Sequence, residues 1–296
     1  MGADREALER HMTEIDRLVA GLRQPVPRWL AGTARANLEM ITGDLAMAEH
    51  HASDSLEDGL AAGQPDAFLI FAAQLFTIRL HQGRLNELDQ LVANVVASTP
   101  LPTLEPFVAL FQLETGRAEE ARATMELLAS AEFSRIPFDP LRACGLAISA
   151  WVVAGLEERT WAQELEPQLL PYRGLAVFGG AIWFGPVDHY LAVLSKTLGR
   201  LDEADQRFSA AAAVASRMGS PPWLARIQVE RADLLERRGD GNDYDKAAML
   251  RAEALATARR VGLTSIETRA RRSILENRNS QPEPAQQSDA VERRRT

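Results

Sequence analysis

The chain has 296 residues, of which 46% are hydrophobic and 6% aromatic, and its formal net charge is −8. This length fits two globular domains or one elongated repeat domain, and a composition rich in Ala and Leu favours helices over strands. The negative charge argues against a protein that binds duplex nucleic acid.

The single cysteine, Cys144, excludes an internal disulfide and is typical of a reducing compartment. It lies in an apolar helical context, so we expect a buried thiol. The charged run Asp4–Glu9 argues against a secretory signal, and no stretch approaches the ~18 apolar residues of a membrane span. The sequence therefore predicts a cytoplasmic protein.

The first half of the chain predicts an opening helix over 3–23, followed by three pairs of helices. Gly43, Gly83 and Gly116 lie at the turns within these pairs, where glycine can adopt a positive φ without a Cβ clash. The spacing from Gly83 to Gly116 is close to the ~34-residue period of tetratricopeptide repeats. The predicted pairs are 28–41 with 44–60, 68–80 with 88–96, and 104–114 with 118–128.

The second half predicts a fourth pair over 140–170. Within 185–262 it then predicts two successive copies of one helical hairpin. Ala204 in the first copy corresponds to Ala247 in the second. Between these parts, the glycine-rich segment 171–186 has no helical periodicity and is interpreted as an inter-repeat loop. A last helix over 263–276 is expected to cover the open end, and the polar residues 277–296 are expected to be disordered.

The order of a small residue, a glycine turn, an alanine, an aromatic such as Phe208 and a further alanine resembles the tetratricopeptide motif. The resemblance is strongest over 186–262. It implies an all-α fold, a right-handed α-solenoid of about six helical hairpins with a capping helix. The expected organisation is one helical-repeat domain, 1–276, and a tail, 277–296.

A narrower resemblance covers about 170–272. Gly185–Leu191, Leu198–Ala204 and Pro221–Arg226 resemble the carboxy-terminal helical arm of large bacterial regulators. In those proteins an ATPase module joins a LuxR-type DNA-binding domain or a class III adenylyl cyclase domain to the arm. This chain has no nucleotide-binding or DNA-binding module, so the resemblance implies only a sensor or docking surface in bacterial signalling or transcriptional regulation.

The sequence offers no catalytic, metal or cofactor motif. The glycines of 174–185 are not followed by Lys and Ser or Thr, and His50 and His51 diverge by ~100° on a helix. Asp188 and His189 have no Ser or Cys placed to complete a triad. We therefore expect no enzyme, no metal and no cofactor. Basic residues that could touch phosphates are interpreted as solvated: Arg269, Arg271, Arg272 and Arg293–Arg295.

In a stack of helical pairs, the first helix of each pair lines the concave side. The groove positions of the motif predict an apolar floor with scattered charges, which suits a peptide or a helix. Trp183, beside Phe184, is a candidate exposed anchor for a partner. The predicted groove residues are Thr77, Leu80, His81, Leu110, Leu113, Glu114, His189, Val193, Lys196, Thr197, Arg226, Val229, Asp233, Glu236 and Arg237.

Two functions from different classes remain open. The first is a non-catalytic protein–protein interaction module that captures a peptide or helix in this groove. The second is a small-molecule-sensing arm whose effector, an ATPase, cyclase or DNA-binding domain, is on another chain. A long open groove would favour the first function, and a deep pocket lined by the 174–186 segment would favour the second.

Overall fold

The computed structural model describes residues 5–22, 24–99 and 102–271. These residues form fourteen α-helices and one two-stranded sheet, so the expectation of a mostly helical protein is confirmed. The helices are α1 (Arg5–Ala20), α2 (Pro25–Thr42), α3 (Leu45–Ala61), α4 (Ala67–Gln82), α5 (Asp89–Ser98), α6 (Glu105–Glu114), α7 (Ala118–Ala129), α8 (Arg142–Gly155), α9 (Arg159–Leu169), α10 (Val187–Thr197), α11 (Leu201–Arg217), α12 (Pro221–Arg238), α13 (Asp243–Val261) and α14 (264–271), and the strands are β1 (Ala176–Phe178) and β2 (Trp183–Pro186).

Glycine turns join the helices of successive pairs, as the sequence predicts. Gly43, Gly83 and Gly199 follow α2, α4 and α10 with φ angles of 93°, 70° and 81°. Small side chains let the paired helices approach each other, and Ala204 and Ala211 on α11 are completely buried. The turn chemistry and the small-residue spacing therefore place the helices where the sequence indicates.

The glycine-rich segment forms a β-hairpin, which corrects its interpretation as a plain loop. β1 and β2 pair antiparallel, with Phe178 opposite Trp183. Val177 and Phe184 are completely buried and belong to the main hydrophobic core. Strands of three and four residues are too short to show a period-two pattern, so sequence periodicity does not distinguish them from a loop.

Side-chain amides fix the hairpin to the first helical pairs. The backbone N–H of Trp183 donates to Oδ1 of Asn37 on α2 at 2.8 Å. Nε2 of Gln74 on α4 donates to the carbonyl of Ala181 at 3.1 Å and to that of Thr33 at 2.9 Å. The buried strand β2 therefore lies inside the molecule, between the N-terminal pairs and α10–α12, while Phe178 of β1 remains 52% exposed.

The first pairs also pack against the last ones. α2 contacts α12, and a Cβ on Gly43 would lie 2.8 Å from Cγ1 of Val261 and 3.5 Å from Pro222. A Cβ on Gly83 would lie 3.2 Å from the backbone nitrogen of Ser265 in α14. The inner helices thus enclose one continuous core that extends from the first pair to α14.

The last described helix, α14 (264–271), lies within the predicted last helix 263–276, and its Ile266 and Ala270 are buried, as is Leu263 just before it; residues 272–276 lie outside the described residues. The predicted tail 277–296, with Arg293–Arg295, lies outside the described residues. Within the described ranges, no helix combines the length and apolar character that a membrane span requires.

Candidate functional site

The predicted groove residues line the molecule's interior instead of an open surface. On α4, α6, α10 and α12 most of these side chains have almost no exposed area. The buried ones are Thr77, Leu80, His81, Leu110, His189, Val193, Arg226 and Val229; Leu113, Lys196, Thr197, Asp233 and Glu236 are partly buried, and Glu114 and Arg237 are exposed. A peptide groove open to solvent is not compatible with this burial.

An aromatic cluster fills the space that the groove would need. Its centre is Trp223 on α12, whose ring centroid lies 5.5 Å from His189, 5.8 Å from Phe184 and 6.1 Å from Trp151. Trp183 lies 6.0 Å from Trp223 and is only 5% exposed. Trp183 therefore packs inside and does not present an exposed ring to a partner.

The inward-facing sides of α4, α6, α10 and α12, called the inner wall below, carry charged side chains that pair with one another. Nζ of Lys196 lies 3.0 Å from Oε2 of Glu230, and Arg269 also binds this carboxylate. Arg269 and Arg251 reach Asp233 at 2.6 and 2.7 Å. Burial alone would raise the pKa of Glu230, but Arg269 and Lys196 hold it well below its ordinary value. These groups stabilise the fold and are not free for a partner.

The two inner histidines are neutral, since burial lowers the pKa of both His81 and His189 to about 3. Asp188 does not orient His189; its Oδ2 accepts a hydrogen bond from the backbone N–H of Gly174 at 2.8 Å. Among the described residues, no three His, Cys, Asp or Glu side chains are grouped as metal ligands would be. The inner wall thus shows no acid–base pair and no metal cluster in the described ranges.

A cavity of about 510 Å³ lies on the other side of the hairpin, between α2, α4, α5, α6 and the turn that joins the two strands. Its walls are almost wholly apolar. Representative lining residues are Ile70, Phe76, Val92, Val95, Phe107 and Ile182. This cavity is the candidate functional site.

The local sequence explains why the space is open. No residue of α5 is fully buried, so Leu91, Val92 and Val95 turn a partly covered apolar face toward α4. On the opposite wall, Gly179 and Gly180 bring no side chain to the hairpin turn. A helix that packs loosely and a turn without side chains together leave room for another molecule.

The polar groups of the lining are few and mostly engaged. The hydroxyl of Thr33 shares a hydrogen bond of 2.8 Å with Ser55. Asp66 is exposed, and Cys144 is buried with its pKa raised to about 12 by desolvation. The wall therefore offers an occupant mainly apolar contact and no charged group in its depth.

Sequence reasoning did not find this cavity, although part of the signal was present. The 88–96 helix carries more apolar positions than one buried stripe needs, and Val96 remains 44% exposed. The adjacent glycines 179 and 180, which bring no side chain to the cavity wall, are a second sequence signal for open space there. Their proximity depends on how the hairpin folds back toward α4, which one-dimensional spacing does not encode.

Compared with protein-family models, curated proteins and solved structures, the chain gives no match in any of the three.

Proposed function

We propose that this protein is a non-catalytic binding module for an uncharged, apolar small molecule, held in the cavity between α4, α5, α6 and the hairpin turn. The single observation that carries the proposal is the cavity itself. Its volume of about 510 Å³ lies within the ~300–1,000 Å³ of small-molecule sites, and its apolar walls are typical of them.

A small molecule suits the cavity better than a peptide does. Walls from α2, α4, α5, α6, α8 and the hairpin turn converge on a space that is partly open at Leu30 and Val96, whereas a helix or strand of a partner needs an extended trough. The positions predicted for such a trough are mostly enclosed, as His189, Arg226 and Val229 illustrate. Capture of a peptide in the concave groove therefore has less support as the function.

The proposed role is sensing, with α5 as the wall that responds. Since α5 has no fully buried residue, its position depends on contacts that an occupant would supply. A ligand that binds one arrangement of α5 better than another would shift the balance between them. The effector would then be a separately encoded ATPase, cyclase or DNA-binding protein of a bacterial cytoplasm, as the resemblance to regulator arms implies.

The same proposal includes the finer architecture. We infer that the helical pairs are tetratricopeptide-like hairpins stacked as a right-handed solenoid over 1–276. The positive-φ glycine turns and the buried alanines between helices, such as Ala204 and Ala211, support this.

The test is binding of an uncharged apolar fluorophore, N-phenyl-1-naphthylamine, to the full chain. Ala73 on α4 lines the cavity, so Ala73→Phe should fill it and weaken binding about tenfold or more. The matched control is Ala93→Phe on α5, because Ala93 is exposed and points away from the lining. Helicity is checked for both variants by circular dichroism.

The expected result is saturable enhancement of fluorescence with the wild type and the Ala93→Phe variant, and its loss with Ala73→Phe. If the fluorophore does not bind the wild type, or if Ala73→Phe binds it as well as Ala93→Phe does, the cavity is not the ligand site and the proposal is wrong.

A further inference from the structure

Arg226 differs from the other buried arginines of the described residues. Arg79 forms an ion pair with Glu49 at 2.5 Å, and Arg251 forms one with Asp233 at 2.7 Å. Arg226 is 5% exposed, and no carboxylate of the described chain pairs with it. A guanidinium stays charged at neutral pH, and an enclosed charge without a counterion is strongly unfavourable.

The acidic side chain best placed to neutralise Arg226 is already engaged. Glu230 lies one turn further along the same face of α12, the spacing at which helical ion pairs form. Its carboxylate binds Lys196 and Arg269 instead, and it acts on Arg226 through its charge without a hydrogen bond or close ion pair. Glu114, at the exposed end of α6, acts on Arg226 only from a distance and makes no hydrogen bond with it.

Other polar atoms around the aromatic cluster are also unsatisfied. The guanidinium carbon of Arg226 lies 4.2 Å from the ring centroid of Trp151, which in turn contacts Trp223 and His189. In the described part of the chain, Nε of Arg226, Nε1 of Trp223 and Nδ1 of His189 are enclosed without a hydrogen-bond partner. Such atoms are rare in folded proteins, and a bound polar group or an ordered water would satisfy them.

We propose that Arg226, whose guanidinium lies over the face of Trp151, binds a small oxyanion, a carboxylate or phosphate group, in the plane of the guanidinium. The planar guanidinium presents paired N–H donors at the spacing of two oxygens of such a group. The anion would supply the missing counter-charge inside the molecule. This site is separate from the apolar cavity, whose lining includes neither Arg226 nor Trp151.

The experiment uses the full chain in a buffer free of oxyanions, with sodium acetate and sodium phosphate titrated separately against sodium chloride at matched ionic strength. Thermal unfolding and tryptophan fluorescence are measured for the wild type and for Arg226→Gln. Arg237→Gln is the matched control, since Arg237 lies on the same helix, carries the same charge and is exposed.

With the wild type and Arg237→Gln we expect a saturable rise in the unfolding midpoint with acetate or phosphate, and the anion that acts identifies the group. Arg226→Gln should bind that anion about tenfold more weakly or worse. No saturable response to either anion, or an equal response from Arg226→Gln, overturns the proposal.

A second variant tests the missing counter-charge without any ligand. In the oxyanion-free buffer, Arg226→Met should unfold at the same temperature as the wild type or higher, because an unpaired buried charge has been removed. A midpoint several degrees lower would show that the chain itself satisfies Arg226, and that the site does not need an anion.

Discussion

His81 and His189 both face the indole of Trp223, with ring centroids 6.2 and 5.5 Å from it. Burial is the main cause that lowers the pKa of each to about 3, and Arg226 adds to it. Glu230 opposes the shift at His189, while Lys196 and Arg269 reinforce it. Both imidazoles are therefore uncharged in the folded protein at any pH near neutrality.

These histidines predict a loss of stability in mild acid. In the unfolded chain a histidine takes up a proton near its ordinary pKa of about 6.5, whereas His81 and His189 in the folded protein do so only near 3. Between these values the unfolded state binds more protons, so the free energy of unfolding falls as pH falls. Each histidine contributes about 1.4 kcal/mol per pH unit in that interval.

Chemical denaturation at pH 6.0, 5.5 and 5.0, above the range where most carboxylates titrate, measures this slope. His189→Phe should lower the slope by about 1.4 kcal/mol per pH unit, leaving the contributions of His81 and of His51, whose pKa burial also lowers. Phe208→Leu is the control, because this neighbour of His189 does not titrate and should change stability without changing the slope. An unchanged slope in His189→Phe would contradict the assignment.

The inward direction of these side chains could be predicted from the sequence, but the groups that surround them could not. The tetratricopeptide register places His189, Lys196 and Arg226 on first helices facing inward, and they do face inward. Whether that inner side holds a partner or the chain itself depends on the hairpin and on the contact of the first helical pair with α12 and α13. Neither feature has a local sequence signal.

Among the elements, the β1–β2 hairpin determines whether the inner wall is open to a partner or filled by the chain itself. It inserts Phe184 and Trp183 among the inner helices, and its turn forms one side of the cavity. The backbone approaches Trp223 so closely at Gly185 that a Cβ there would lie 2.5 Å from ring atoms of the indole. Gly185 also has a φ of 83°, in the left-handed region.

Gly185→Ala therefore combines two costs, and Gly180→Ala separates them. Gly180 has a similar φ of 76°, but a Cβ there would meet nothing within 4 Å. We expect Gly180→Ala to lower the free energy of unfolding by about 1–2 kcal/mol from backbone strain. Gly185→Ala should cost about 1–3 kcal/mol more, because the ring of Trp223 must move.

Urea denaturation of both variants gives this difference directly. Equal losses for the two alanine variants would mean that Trp223 moves freely, and that the hairpin is not tightly packed on α12.

Helices could be predicted at this scale because residues within the local sequence mark where they begin and end. Glycine turns such as Gly43 and Gly199 end periodic runs that are long enough to be recognised. β1 and β2 could not be predicted, since their hydrogen bonds are with each other and their burial comes from distant helices. The repeat register has a limit at Tyr244: it predicts that this side chain fills a gap between two helices, yet the side chain is 58% exposed.

For the whole molecule, the decisive contact is the one between the first and last pairs. The turn after α2 packs against Val261 and Pro222, which belong to α13 and α12. In an open repeat array each unit touches only its neighbours, and stability is a sum of local terms. Contact between the two ends couples units that are far apart in the sequence.

Val261→Asp tests this coupling, because it places a charge against Gly43. Amide hydrogen exchange should quicken in α2 as well as in α13, with little change in α6 and α7 between them. Met249→Asp is the control on the same helix, since Met249 is 56% exposed. Faster exchange confined to α13 would show that the contact between the ends contributes little.

Repeat proteins commonly lengthen or shorten by whole units, because an added copy simply extends the array. A chain whose first helical pair packs against α12 and α13 has less of this freedom. One more inserted helical pair would separate Gly43 from Val261 and Gly83 from Ser265. It would also expose the indole rings of the aromatic cluster around Trp223. The number of helices between α2 and α13 should therefore be as constrained as a core residue, because a related sequence with an added helical pair would need new contacts where Gly43 now meets Val261.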